Sequence, residues 1–143
     1  DNSLEIIKKY PVRVIKNKKN SGFAAGNNQG IKAAKYPYIL LLNMDAKIEK
    51  DSLKKMLNII ERDEKIGCVL PVILNPDRSI QSLGITHLIS GLGINQRDSK
   101  EKIFGFYGAC VLLRKEMLDK IGKFDNVFFT FYEDLELSYR IRL

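Results

Sequence analysis

The sequence predicts an α/β domain whose sheet is mostly parallel early and gains an antiparallel element near its middle. Three observations carry that expectation. Apolar runs of strand length alternate with segments of helical periodicity. A proline-containing turn separates two runs that can pair as a hairpin. The chain has 143 residues, 45% hydrophobic and 29% charged, which suits one globular unit and not a disordered segment. A chain of this size buries roughly 70% of the surface it exposes when unfolded, enough for a core without staples.

The elements follow in chain order. Leu4, Ile6 and Ile7 mark a short helix that Pro11 ends, and Val12, Val14 and Ile15 read as a strand. Residues 20–28 are rich in Gly and Asn and predict a loop, beside which a helix runs through Ile31, Ala33 and Ala34 until Pro37. Residues 38–43 form a continuous apolar strand of the kind buried on both faces. Asp51 suits the N-cap of an amphipathic helix carrying Leu53, Met56, Leu57 and Ile60 on one stripe. Residues 67–74 read as a buried strand, 75–78 as a turn, and 79–83 as the returning strand. Gly84, Gly91 and Gly93 fall without a clear period, so residues 84–104 are expected to be a loop. Residues 107–113 read as a strand and 115–121 as a short helix stopped by Gly122. An aromatic cluster, Phe128, Phe129, Phe131 and Tyr132, precedes a last helix that starts near Glu133.

Composition narrows the function classes. No apolar run approaches the ~20 residues of a membrane span. Asp1 in place of Met, with a helical pattern persisting to Leu143, predicts a piece of something longer, whose anchors stay open. The net charge of +7 suits a phosphate-bearing ligand, a nucleic acid or an anionic membrane. Lysines are scattered apart from residues 16–19 and no aromatics interleave with them, so nucleic-acid binding has no supporting pattern. Cys68 and Cys110 sit in apolar runs with no metal or disulfide spacing; they read as buried free thiols in a reducing compartment.

Three segments could carry chemistry. Asn43 and Asp45 close the strongest strand, where open α/β sheets bind ligands. The Asp45 carboxylate is a hard oxygen ligand for Mg²⁺ or Mn²⁺, and Asn43 offers a neutral oxygen two residues away; an ordinary turn former is the bland alternative. Residues 20–30 hold three glycines and three asparagines, suited to close backbone approach and donors for a base or phosphate, or simply to a capped loop. They match neither a dinucleotide-binding glycine pattern nor a P-loop. Glu133 and Asp134 begin a helix, where acids favour the macrodipole. Beside Phe129 and Tyr132, however, a carboxylate could have a raised pKa and act as a general base. Arg140 could orient these acids or meet phosphate. His87, the sole histidine, leaves no second candidate for a histidine triad and reads as a surface residue.

Five segments taken in order carry a resemblance. Asn20, Gly22, Phe23, Asn27, Asn28 and Gly30 form the first; Leu42, Asn43 and Asp45 the second. Residues 75–81, Asn-Pro-Asp-Arg-Ser-Ile-Gln, form the third, and Gly108, Ala109, Leu112, Arg114 and Glu116 the fourth. Gly122, Phe124, Asp125, Phe128, Phe129, Glu133, Asp134, Leu137 and Arg140 complete the series. Together they resemble the family 2 inverting glycosyltransferases of the GT-A type, in the rhamnosyltransferase-like branch.

The resemblance implies a GT-A-like mixed sheet flanked by helices, here a partial catalytic domain over residues 1–143. It implies a nucleotide-sugar donor, UDP- or dTDP-linked, and a saccharide or lipid-linked acceptor in cell-envelope polysaccharide synthesis. By resemblance Asp45 binds the divalent ion, Mg²⁺ or Mn²⁺, and Asn20, Gly22, Asn28 and Asn43 help hold the donor. Gly108 and Ala109 line the sugar and acceptor cleft, Asp134 is the base, and Glu133 is the second candidate for it. A cytoplasmic location follows, with peripheral membrane association of a longer parent left open.

The sequence also departs from the family. Asn43 stands where its first acid would be, leaving fewer charges for a metal. The first strand and the base-gripping Asp would precede Asp1, and further elements would follow Leu143, so the piece alone is expected to fold poorly and be inactive. Acceptor choice is expected in residues 84–104. The rival readings are an inactive sugar-nucleotide-binding module and a nucleotidyltransferase on a similar sheet.

Overall fold

The structure is a computed structural model that describes residues 2–87, 90, 92–98 and 102–143. Its elements run α1 (Ser3–Ile7), α2 (Gly22–Ala33), β1 (Tyr38–Leu42), α3 (Ser52–Ile60), β2 (Cys68–Val69) and β3 (Ile73–Leu74). They continue with β4 (Ile80–Ser82), β5 (Ile85–His87), β6 (Gly93–Asn95), β7 (Cys110–Arg114), α4 (Lys115–Ile121) and α5 (Glu133–Arg142). Among the described residues no helix is long and apolar enough to cross a membrane.

The core forms around β7, the central strand of a three-stranded sheet ordered β1-β7-β2. Its Cys-Val-Leu-Leu-Arg run alternates between two apolar layers, as a period of two requires. Val111 and Leu113 pack with Ala24, Ile31, Ile39, Leu41, Leu118 and Leu137, joining β1 to α2, α4 and α5 on one face. Leu112 turns to the other face and packs with Met56, Ile60 and Val69 beneath α3. Fully burying each such side chain contributes about 1.5–3 kcal/mol, and covering both faces of β7 fixes its register against β1. Ile39 opposes Leu113, and Leu41 opposes Val111. Arg114 closes this end: it donates to the carbonyls of Ile66, Ile60 and Asp63, satisfying the end of α3.

Several sequence expectations need correction. Every strand pair among the described residues is antiparallel, where alternation predicted parallel crossovers. Residues 12–15 form no strand; Val12, Val14 and Ile15 are 53%, 43% and 45% exposed, with no described sheet edge beside them. β1 instead pairs with a strand that returns from 68 residues further on. Only Ile39 and Leu41 of β1 are buried, whereas Tyr38 and Leu40 are half-buried and Leu42 is exposed, so its second face is covered less than predicted. Asp51 stands at the N-cap of α3 but with φ +66° and no side-chain cap bond.

Pro71 splits the predicted strand 67–74 into β2 and β3, since proline cannot donate to a ladder. The predicted hairpin is present: β3 pairs with β4, and Asp77 accepts bonds from the Ser79 N–H and hydroxyl. Residues 84–104 hold a second hairpin in place of the expected loop. Ile85 opposes Asn95 and His87 opposes Gly93. The surface placement expected for the His87 side chain lies outside the described residues. α4, the Gly122 stop (φ +89°) and α5 lie where predicted. Cys68 and Cys110 are free thiols, each pushed up in pKa by burial.

Candidate active site

Antiparallel pairing brings the end of β1 beside the approach to β7. The Asn43 N–H donates to the Ala109 carbonyl at 3.0 Å, so Asn43, Gly108 and Ala109 share one sheet end. The N-terminus of α5 docks against this edge through two side chains. Gly108 N–H donates to Asp134 Oδ2 at 3.0 Å. One turn on, the Ser138 hydroxyl donates to the Asp134 carbonyl at 2.6 Å and accepts from the Phe106 N–H at 3.2 Å. A Cβ on Gly108 would stand 3.4 Å from Asp134 Oδ2 and 3.5 Å from Phe23 Cζ, in ordinary van der Waals contact with both.

These elements line an open cavity of about 460 Å³. Asn43 and Ala109 form one wall, Phe23 from α2 another, and Glu133 and Asp134 a third. Gly93 and Asn95 from the β5–β6 hairpin complete it, with Phe131 and Tyr132 at the rim. Phe131 and Tyr132 are consecutive non-glycine residues at φ +69°, a conformation costing about 1–3 kcal/mol each. That turn leads the chain into α5, whose first two residues, Glu133 and Asp134, are among those lining the cavity.

Burial pushes the pKa of Asp134 above its usual range, opposed by the N–H groups of Gly108 and Leu135 that its oxygens accept from. Burial also raises Glu133, helped by the neighbouring Asp134 charge. Glu133 is only 6% exposed, and its Oε2 has no hydrogen-bond partner among the described residues.

The predicted site residues divide into two groups. Asn43, Gly108, Ala109, Glu133 and Asp134 meet at one cavity. Asn20, Gly22, Asn28 and Asp45 are not among its lining residues. Residues 22–28, expected as loop, are the opening turns of α2. Asn20 accepts from the Gly22 N–H at 2.9 Å, and Gly22 packs directly on the Phe129 carbonyl with φ +84°. Asn28 grips the backbone of Phe124 in both directions, at 2.8 and 3.1 Å, and also bonds Asn126. Its amide ties α2 to the segment before α5. Arg140 is likewise engaged, by Glu136 and by the carbonyls of Ile121 and Lys123 at the end of α4, and not by Asp134.

Asp45 is exposed at the turn after β1. Among the described residues, no three His, Cys, Asp or Glu side chains gather as a metal-holding group. One carboxylate with one amide oxygen suits an ion that brings water and phosphate ligands of its own, as Mg²⁺ commonly does. The reading from sequence missed Ser138 and the hairpin residues Gly93 and Asn95. The Ile85-Thr86-His87 run, apolar and β-branched before a glycine-bounded return, is the signal that could have exposed that hairpin.

Comparison with known proteins adds to this geometry. The profile of "Glycosyl transferase family 2" matches residues 1–122, which ends short of Glu133 and Asp134. A low-salt glycan biosynthesis hexosyltransferase of Haloferax volcanii is 24% identical over 86% of this chain and 44% of its own length. The poly-beta-1,6-N-acetyl-D-glucosamine synthases of Staphylococcus epidermidis and Staphylococcus aureus are 28% and 26% identical over the whole chain and 36% of their own lengths. The chain thus spans less than half of each of these relatives. The α/β arrangement of helices and small sheets agrees in general terms with a GT-A-like fold, and on the extent of the profile match the chain belongs to glycosyl transferase family 2.

Proposed function

We propose that these residues form the catalytic core of a glycosyltransferase that moves a sugar from a nucleoside-diphosphate donor to a hydroxyl acceptor, with inversion. The supporting observation is the half-buried Asp134 carboxylate sharing a cavity with Asn43 at the end of β1. Family membership and the names of the relatives support sugar transfer as the reaction class.

Asp134 is the general base. Each of its oxygens accepts one backbone N–H, from Gly108 or Leu135, which fixes the carboxylate and leaves it lone-pair capacity for a proton. Its raised pKa makes it a better proton acceptor than a solvated aspartate. The acceptor oxygen bonds to the anomeric carbon as its proton passes to Asp134. The bond from that carbon to the diphosphate oxygen breaks, and its electron pair leaves with the nucleoside diphosphate. One displacement inverts the anomeric centre. Positioned base catalysis of this kind contributes about 10²–10⁴ in rate.

Asp45 and Asn43 would hold Mg²⁺ or Mn²⁺ together with the donor diphosphate. When bound, such an ion neutralises charge on the leaving group, worth several kcal/mol. The +7 net charge favours the polyanionic donor at longer range. A hexosyl or N-acetylglucosaminyl donor comes first because the relatives' names carry those sugars. A 6-deoxyhexosyl donor is the second candidate, resting only on the resemblance of the motifs to the rhamnosyltransferase-like branch. A cytoplasmic catalytic face, near the membrane where envelope glycans are built, belongs to the same proposal.

The test is a screen of the full-length protein against UDP-, dTDP- and GDP-sugars with Mn²⁺, following release of nucleoside diphosphate. Release that depends on added saccharide or lipid-linked acceptor supports transfer. Donor binding without release supports the inactive binding module instead.

A further inference from the structure

The β5–β6 hairpin brings to the cavity a polar side chain that the transfer step leaves without a task. Gly93 and Asn95 are half-buried and line the cavity, while Ile94 between them is exposed, as the period of two along β6 requires. Glycine at 93 lets the hairpin lie close against α5. A Cβ there would stand 2.7 Å from Ile85 Cγ2 and 3.1 Å from Leu135 Cδ2. Leu135 directly follows Asp134, so this packing holds β6 beside the turn of α5 that carries the proposed base.

A buried hydroxyl orients the Asn95 amide. Ser82 is fully buried, and its Oγ accepts from the Gly84 N–H at 3.0 Å. Its hydroxyl hydrogen is then left for Asn95 Oδ1 at 3.0 Å, which is nearer than the Gly84 carbonyl at 3.3 Å. With Oδ1 turned to Ser82, Nδ2 is turned away from it, and Nδ2 has no hydrogen-bond partner among the described residues. Glu133 Oε2 alone among them is both enclosed and unpartnered, so the Asn95 nitrogen is reachable from solvent.

We propose that Asn95 is a specificity-determining contact for the acceptor, its Nδ2 donating to one hydroxyl oxygen of a saccharide whose attacking hydroxyl loses its proton to Asp134. The inference rests on the transferase reading. In that reading the donor diphosphate lies with Asn43 and Asp45 after β1, which leaves the hairpin wall to the acceptor. An amide whose Oδ1 is engaged offers donors alone and carries no charge. It shares the cavity with Glu133 and Asp134, where a phosphate would meet like charge and a sugar hydroxyl does not. Water can replace the hydroxyl at an open nitrogen, so the discrimination expected is modest, about fivefold.

The experiment uses the full-length protein with UDP-N-acetylglucosamine and Mn²⁺. A β-1,6-linked N-acetylglucosamine oligosaccharide and its terminal-ring monodeoxy analogues serve as acceptors. Wild-type protein is expected to prefer the parent oligosaccharide to one analogue by about fivefold in kcat/KM. In Asn95→Ala the acceptor KM should rise by about fivefold, with kcat and the donor KM within about twofold of wild type. The preference against that one analogue should vanish while those at other positions persist. Asn95→Asp covers a failure of the alanine variant to fold. It keeps the shape and the bond from Ser82, removes the donors, and should lose the same preference. A role confined to tethering the hairpin would lower Tm and scale all acceptors together, leaving every preference intact. That result overturns the inference, as does a raised donor KM with the acceptor KM unchanged. No diphosphate release by the wild-type protein overturns the transfer reading for this pair and the inference with it.

Discussion

Asp134 and Gly108 are 26 positions apart in sequence, yet the Gly108 N–H donates to Asp134 Oδ2 at 3.0 Å. That bond joins the start of α5 to the approach of β7, and so joins the proposed base to the sheet end where Asn43 sits. The carboxylate is held by backbone, which cannot swing away as a side-chain partner could. Its position is therefore set by the fold, and its proton affinity by burial.

Burial raises the pKa of Asp134, so the folded protein binds that proton more tightly than the unfolded chain. The stability sign follows by linkage. Between the unfolded value, about 3.9, and the higher folded value, stability falls as pH rises. Asp134→Asn abolishes this slope. Its amide accepts only one of the two N–H groups, which adds an offset of about 1 kcal/mol. Urea unfolding across pH should show the wild-type advantage over the variant shrinking as pH rises through that window. An advantage that grows with pH would contradict the raised pKa.

Asn28→Ala should behave as a structural lesion. It removes both bonds to the Phe124 backbone and the bond to Asn126, at a cost of about 1–3 kcal/mol. Thermal unfolding should register that loss, with donor affinity falling only as far as lost folding explains. Weaker donor binding at an unchanged Tm would restore Asn28 to the ligand.

Gly22 tests the docking of α2 on the segment before α5. Its φ of +84° costs a side-chain-bearing residue about 1–3 kcal/mol, and a Cβ would strike the Phe129 carbonyl. Gly22→Ala should lower the urea midpoint accordingly. A change under about 0.5 kcal/mol would put it among neutral surface substitutions and refute the contact.

Asp45→Ala bears on the proposed ion. Titration of donor with and without Mn²⁺ should show the metal-dependent part of the affinity lost, by at least about tenfold. An unaltered titration would remove Asp45 from the metal.

Much of this architecture was legible in residue order. The Tyr38–Leu42 and Cys110–Arg114 runs announce strands, and Gly122 announces the end of a helix. The opening of α2 was not legible, because Gly and Asn are poor helix formers. The bonds from Phe23 to Phe129 and from Asn28 to Phe124 override that local preference. The β5–β6 hairpin escaped because strands of three residues carry almost no period. At the site, the acids at 133 and 134 could be read as chemical types, and the resemblance supplied their roles. Their meeting with Gly108, and the support of Ser138 beneath them, depend on how α5 packs against the sheet. Spacing along the chain holds no trace of that.

The most direct measurement compares Asp134→Asn with wild-type full-length protein in two assays, acceptor-dependent release of nucleoside diphosphate and donor affinity by calorimetry. A base role predicts release reduced by about 10²–10⁴ with donor affinity within about threefold of wild type. Equal loss in both assays, or release that survives the substitution, would contradict it.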